Sequence, residues 1–138
     1  MRITSKGRYG LRAMMELAGH AHAAGLLKTR EIAERQNIPL KYLEQIINTL
    51  KKHHLVISTR GSEGGYRLAR SPGEITIFDI LHALEGDLSI MDTDDEWPEG
   101  QGLFWKELED SVQKLLEITL SDFLRRNRAD DEGLMYYI

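Results

Sequence analysis

Apolar residues in the first fifty positions recur on a helical repeat. Leu11, Met14, Met15, Leu17, Ala18 and Ala21 predict a helix from Ser5, a fair N-cap, to about Ala24, with Gly25 as its stop. Thr29 caps a short second helix, REIAERQ, with one apolar face at Ile32 and Ala33 and an end at Asn37. After the tight break NIP, Pro39 suits the first turn of a third helix, LKYLEQIINTLKKHH, with Leu40, Leu43, Ile46, Ile47 and Leu50 as its buried stripe. Two helices so closely joined predict a helix-turn-helix.

The period then changes. LVIST is apolar and β-branched, RGSEGG is turn-forming and YRLAR returns as a second strand. Helix, helix, helix, strand, turn, strand is the order of a winged helix-turn-helix, and a generic α+β domain shares it. SPGE makes a turn into ITIFDILHALEG, a helix with Ile77, Ile80, Leu81 and Leu84 on one face and Gly86 at its end. Residues 87–102 hold Asp92, Asp94, Asp95, Glu96 and Glu99 beside Pro98 and two glycines, the composition of an exposed acidic loop.

From about Leu103 to Ile118 the apolar residues Phe104, Leu108, Val112 and Leu115 recur, and Trp105 and Leu116 widen the stripe. That much apolar surface needs a cover, either a second copy of the chain or the helix's own domain. LSDFLRR reads as one further short helix, and NRADDEGLMYYI as a charged linker with an apolar end. The expected fold class is therefore mainly α with a small β-hairpin: a winged helix-turn-helix over 1–86, the acidic loop 87–102, a long dimerisation helix region 103–126 and a tail 127–138.

The net charge of −4 over 138 residues hides a division. Residues 1–72 carry 13 Lys and Arg against 5 Asp and Glu, and residues 73–138 carry 5 against 17, about +8 and −12. A basic half suggests a polyanionic partner. The absence of cysteine removes disulfides, thiolate metal ligation and cysteine catalysis. No apolar run long enough for a membrane span and no signal-peptide pattern occur, so a soluble cytoplasmic protein without a membrane partner is expected.

The candidate chemistry is that of binding. The glycines of STRGSEGGYRL match neither a P-loop nor a dinucleotide fingerprint. As a hairpin tip they make sense, because glycine supplies the positive φ of a tight reversal while Arg60 and Arg67 carry charge beside it. At the start of the third helix Lys41, Tyr42, Glu44 and Gln45 alternate with apolar residues, as the outer face of a recognition helix requires. Lys41 and Tyr42 suit phosphate oxygens, Glu44 a cytosine amino group and Gln45 an adenine; Glu44 also suits a plain surface pairing with Lys41. Lys6, Arg8 and Tyr9 sit beside the start of the first helix, where amides and cations together favour a phosphate. Lys51, Lys52, His53 and His54 complement a helix C-terminus. The pairs His20/His22 and His53/His54 make poor metal sites, the acidic loop reads as solvated, and no catalytic constellation is present. No enzyme, metal or cofactor is expected.

The segments RITSKGRYGLRAMMELA, IPLKYLEQI, LVISTRGSEGGYRLAR and ITIFDILHALEG together resemble the Rrf family of bacterial winged-helix regulators over most of the chain. The resemblance implies a homodimer on double-stranded DNA, with Arg60 as the wing arginine in the minor groove, Tyr42, Glu44 and Gln45 as base readers, and Gly64 and Gly65 shaping the wing. Many members hold an iron–sulfur cluster through three cysteines in the loop corresponding to 87–102, where this chain offers aspartates and glutamates instead. Its likeness is to the cysteine-free branch that represses cysteine metabolism, whose regulators work with a cysteine synthase (O-acetylserine thiol-lyase). The end LMYYI belongs to that likeness. Tyr136, Tyr137 and the free carboxylate of Ile138 have the chemistry to enter a carboxylate-binding pocket of such an enzyme, or to fold back on the dimerisation helix. The expectation is a sequence-specific repressor acting on two related half-sites; the alternative is a protein-interaction module on a winged-helix scaffold.

Overall fold

The computed structural model describes residues 1–21, 26–91 and 96–137, with the backbone alone at 129–137. In chain order the described elements are α1 (Ser5–Gly19), α2 (Thr29–Gln36), α3 (Leu40–Lys52), β1 (Val56–Thr59), β2 (Gly65–Leu68), a 3-10 turn (Pro72–Glu74), α4 (Ile77–Glu85), α5 (Leu103–Leu116) and α6 (Leu120–Tyr137). The fold is the expected mainly helical one with a small antiparallel hairpin, a winged helix. Among the described residues no helix is long and apolar enough to cross a membrane.

The helix ends differ from expectation in instructive ways. Thr4, not Ser5, is the N-cap of α1, its hydroxyl accepting from the Lys6 amide. Lys28, not Thr29, is the N-cap of α2, its amide given to the Glu31 carboxylate. α1 ends at Gly19, and the expected stop at Gly25 lies outside the described residues. α2 stops where Asn37 turns left-handed at φ 53° and Ile38 drops into the core, its amide returning to the Ala33 carbonyl at 3.0 Å. Pro39 is the N-cap of α3 rather than part of its first turn, and α3 ends at Lys52, before His54 reverses the chain at φ 60°.

The core is built where α1, α3 and α4 cross. Met14, Leu43, Ile46, Ile47, Leu50 and Ile80 are fully buried there, while Leu40, expected in the stripe, is 37% exposed at the edge of α3. Gly10 sets the spacing: a Cβ on it would lie 2.0 Å from Leu84 Cδ1 of α4 and 3.3 Å from Ile46 Cγ2 of α3. Three helices thus share one point that has no room for a methyl group.

α4 and α6 begin side by side, each on the same local sequence, Ile-Thr-x-x-Asp. Thr76 and Asp79 exchange backbone-to-side-chain bonds at 3.0 and 3.1 Å, and Thr119 and Asp122 do so at 3.1 and 3.4 Å. These are reciprocal caps. The two starts are joined by Ile77 N to Ile118 O and Leu120 N to Ile75 O, both 2.9 Å.

Of the expected acidic loop, residues 92–95, with Asp92, Asp94 and Asp95, lie outside the described residues, and the part before them is held in place. Leu88 is buried, and the Glu109 carboxylate of α5 accepts the amides of Ile90 and Met91 at 3.3 and 3.2 Å. α5 buries Leu116 but leaves Leu103, Phe104 and Leu115 at 64, 61 and 56% exposure, and Trp105 stacks on Trp97 at 5.5 Å. The further short helix and charged linker expected after Ile118 are instead one helix, with α6 running without a break to Tyr137.

Substituting Gly10 tests this packing. In an open helix Gly→Ala gains up to about 1 kcal/mol. Here Gly10→Ala is expected to destabilise by about 1–2 kcal/mol, because Leu84 must leave its place. Denaturant unfolding of the two proteins measures the sign.

Candidate nucleic-acid interface

Burial of Leu43, Ile46, Ile47 and Leu50 turns the opposite face of α3 to solvent. That face is a continuous polar stripe of Lys41, Glu44, Gln45, Asn48, Lys51 and Lys52, all exposed, with residues three and four apart stacking along the helix. Lys41, Glu44 and Gln45 were expected on it. Asn48 was not singled out, although its spacing from Glu44 and Gln45 signals it.

Tyr42 does not stand on the stripe. It is half-buried, with its hydroxyl 3.4 Å from Ser5 Oγ and its ring edge-on to Tyr9 at 5.7 Å. The Arg12 guanidinium lies over the Tyr9 ring at 5.2 Å and donates to Gln36 Oε1 at 3.2 Å, while Gln36 donates to Glu16 at 2.7 Å. Tyr9 and Tyr42 therefore join the start of α1 to the start of α3, with the Arg12 guanidinium over the Tyr9 ring. In the same neighbourhood Arg35 donates to His20 Nε2 at 2.9 Å and His20 Nδ1 lies 3.1 Å from the Glu16 carbonyl. His22 lies outside the described residues.

The start of α1 departs from the anion site expected of its amides. Glu85, at the end of α4, accepts from the Thr4 amide at 2.9 Å, the Thr4 hydroxyl at 2.7 Å and the Gly7 amide at 2.8 Å. The protein's own carboxylate occupies the helix N-terminus, as its dipole favours, and a Cβ on Gly7 would come within 2.7 Å of that carboxylate. What remains there for a phosphate is side-chain charge, on the half-buried Lys6 and on Arg8, which is exposed with Nη1 3.5 Å from the Ile3 carbonyl.

The wing pairs Val56 with Leu68 through Thr59 with Gly65. Among its glycines the positive φ belongs to Gly61, at 112°, and not to the pair Gly64 and Gly65. Those two are needed for close approach: a Cβ on Gly64 would lie 2.2 Å from the Thr59 carbonyl oxygen, and one on Gly65 2.7 Å from that of Leu27. Leu27 adds a third, single-residue strand, exchanging backbone bonds with Tyr66 at 3.0 and 2.7 Å. Arg60 is exposed on the turn, and Arg67 is exposed on β2 opposite Ile57. Lys28, Lys51 and Arg60 line one cleft between the wing and the end of α3, so the stripe runs from the α1 joint at one end to the wing at the other. Tyr136 and Tyr137 belong by their backbone to α6, far along the chain from this face, and Ile138 lies outside the described residues.

A family model for Rrf2, described as an iron-dependent transcriptional regulator, matches residues 3–126. The chain belongs to the Rrf2 family. It is thus a transcriptional regulator and not an enzyme. Over its whole length, and the whole of the relative, it is 39% identical to the HTH-type transcriptional regulator CymR of Bacillus subtilis. It is also 39% identical to the HTH-type regulator IscR of Sodalis glossinidius, covering 95% of this chain and 83% of that one. The solved structure of CymR, called the global cysteine regulator of B. subtilis, superposes with a TM-score of 0.84 at 35% identity, over 91% of this chain and 98% of that one.

An iron centre of the family's thiolate kind does not fit the residues of this Rrf2 protein. No cysteine occurs in the chain, and among the described residues no three His, Asp or Glu side chains gather. Asp87 is engaged locally, accepting from the Ser89 amide and hydroxyl at 2.9 and 2.8 Å.

The Glu85 contact gives a pH dependence. Burial pushes its carboxyl up, but the bonds from the Thr4 hydroxyl, the Thr4 amide and the Gly7 amide, with the charge of Lys6, together hold it below the ordinary value of 4.5. A depressed carboxyl stabilises the fold above its unfolded value, and that contribution fades as pH falls through the lower folded value. Glu85→Gln is expected to cost about 1 kcal/mol at pH 7, with the gap to wild type closing as pH falls through the lowered folded value. Unfolding curves at a series of pH values measure it.

Proposed function

We propose that this protein is a homodimeric, sequence-specific DNA-binding repressor of cysteine or sulfur metabolism that works in the cytoplasm without an iron–sulfur cluster. The observation that carries the DNA reading is the continuous exposed stripe of α3, Lys41 to Lys52, ending beside Arg60 on the wing. An α-helix of this kind fits a major groove, and a hairpin beside it reaches the flanking minor groove. Lys41, Lys6 and Arg8 serve the phosphates, Glu44, Gln45 and Asn48 face base edges, and Arg60 enters the minor groove. Tyr9 and Tyr42 hold α1 and α3 in register, and Gly64 and Gly65 give the wing its shape.

Dimerisation is supported by the uncovered Leu103, Phe104 and Leu115 on α5, apolar side chains that a second copy buries. Two copies then face two related half-sites. Cysteine metabolism is supported by the full-length similarity to CymR, and the missing thiols of the chain favour a signal that arrives through a partner. A cysteine synthase, O-acetylserine thiol-lyase, suits that part, meeting the chain end at Tyr136, Tyr137 and Ile138. Recovery of the enzyme by the full chain and its loss on removing Ile138 tests the partner; equal recovery contradicts capture by the terminus.

The DNA reading is tested with duplexes selected by the protein from a randomised pool. Log affinity is expected to fall linearly with log salt. Arg60→Ala is expected to cost about 1–3 kcal/mol of binding while the dimer persists, and Gln45→Ala to relax preference at one base pair. Equal affinity of wild type and Arg60→Ala removes the wing from the account. No retained duplex at low salt favours the interaction-module alternative.

A further inference from the structure

The wing tip, Arg60 to Gly64, is a short turn, exposed from Arg60 to Glu63 and closed internally by the bond from Gly64 N to Gly61 O at 2.9 Å. With a positive-φ glycine at Gly61, such a turn has many accessible conformations, and an arginine on it loses that freedom on entering a groove. A contact from outside the hairpin restrains the tip. Lys28 Nζ donates to the Ser62 carbonyl at 3.0 Å.

Lys28 is itself well placed to act as an anchor. Its amide is held by Glu31 at 3.2 Å as the N-cap of α2. Its neighbour Leu27 is paired in both directions with Tyr66 of β2, and the missing side chain of Gly65 lets Leu27 come that close. The turn end of β2 and the tip beyond it are therefore tied to two adjacent residues, Leu27 and Lys28. Lys28 also shares a cleft with Arg60, and both carry positive charge toward it.

We propose that Lys28 is a positioning residue for the wing arginine: it latches the tip through Ser62 so that Arg60 is already aimed before DNA arrives. The proposal deepens the DNA reading above and rests on it for its consequence, although the latch itself is a property of the free protein. A latch that removes conformational freedom in advance returns affinity without touching DNA. It acts only through Arg60.

The experiment has two arms. In the free protein, hydrogen exchange of a peptide spanning 60–65 is expected to quicken about five- to tenfold in Lys28→Met, as loss of one charge-assisted hydrogen bond implies. Peptides of α1 and α4 stay unchanged, and Lys28→Arg, which keeps a donor and a charge, exchanges like wild type. In the second arm, binding to a selected duplex is compared in a double-mutant cycle. Lys28→Met is expected to weaken wild type about tenfold and the Arg60→Ala protein by less than about twofold. Unchanged exchange at the tip overturns the latch whatever the DNA result. An equal loss in both backgrounds, with the salt slope reduced by about one, overturns it in favour of a direct phosphate contact by Lys28. If wild type retains no duplex, the DNA reading falls and the exchange arm still decides the latch.

Discussion

The contact between the first turns of α1 and the last turn of α4 determines how everything else is presented. At Gly7 and Gly10 α1 presents no side chain of its own, so Glu85 and Leu84 of α4 pack directly on its backbone, and Ile46 of α3 completes the contact at Gly10. Glu85 then closes the N-terminus of α1 with three hydrogen bonds. Because Ile46 faces this junction, Glu44, Gln45 and Asn48 face the other way. The orientation of the recognition stripe is thus a consequence of two glycines and one carboxylate on elements that do not form the stripe.

The same economy runs through the wing. The hairpin is only four residues on each side, too small to hold itself in water. It is stabilised by burial of Val56 and Leu68 and by the Leu27 bridge, which comes from the connection between α1 and α2. Charge completes the division of labour. The basic first half, about +8, contains α1, α3 and the wing, whereas the acidic second half, about −12, contains α5, α6 and the loop before them. A polyanion is steered to one part of the molecule and repelled from the other.

The order of elements was legible in the sequence because each signal was local: helical repeats in the first three helices, β-branched residues and glycines in the wing, and the apolar repeat of α4 ended by Gly86. The outer face of α3 followed from the same repeat. What was not legible came from contacts between distant segments. Ser5 looks like a cap until Glu85, about eighty positions away, is seen holding Thr4 and Gly7. Tyr42 reads as one more residue of the polar face, and its half-buried seat against Tyr9 and Ser5 comes from a distant segment. The wing glycines together invite a positive φ, and it falls at Gly61, while which of them instead admit neighbouring backbone, Gly64 and Gly65, depends on contacts the sequence does not show. Charged residues late in α6 suggested a linker, but no proline interrupts that segment and the helix persists to Tyr137.

In the proposed complex a single face, running from the start of α1 along α3 to the wing, lies on DNA. Hydroxyl-radical footprinting of a selected duplex with the intact protein tests it most directly. The account predicts two protected blocks about one helical turn apart, each with a protected minor-groove edge that reappears as cleavage when Arg60 is replaced by alanine. Uniform protection along the duplex, or a footprint unchanged by that substitution, would contradict it.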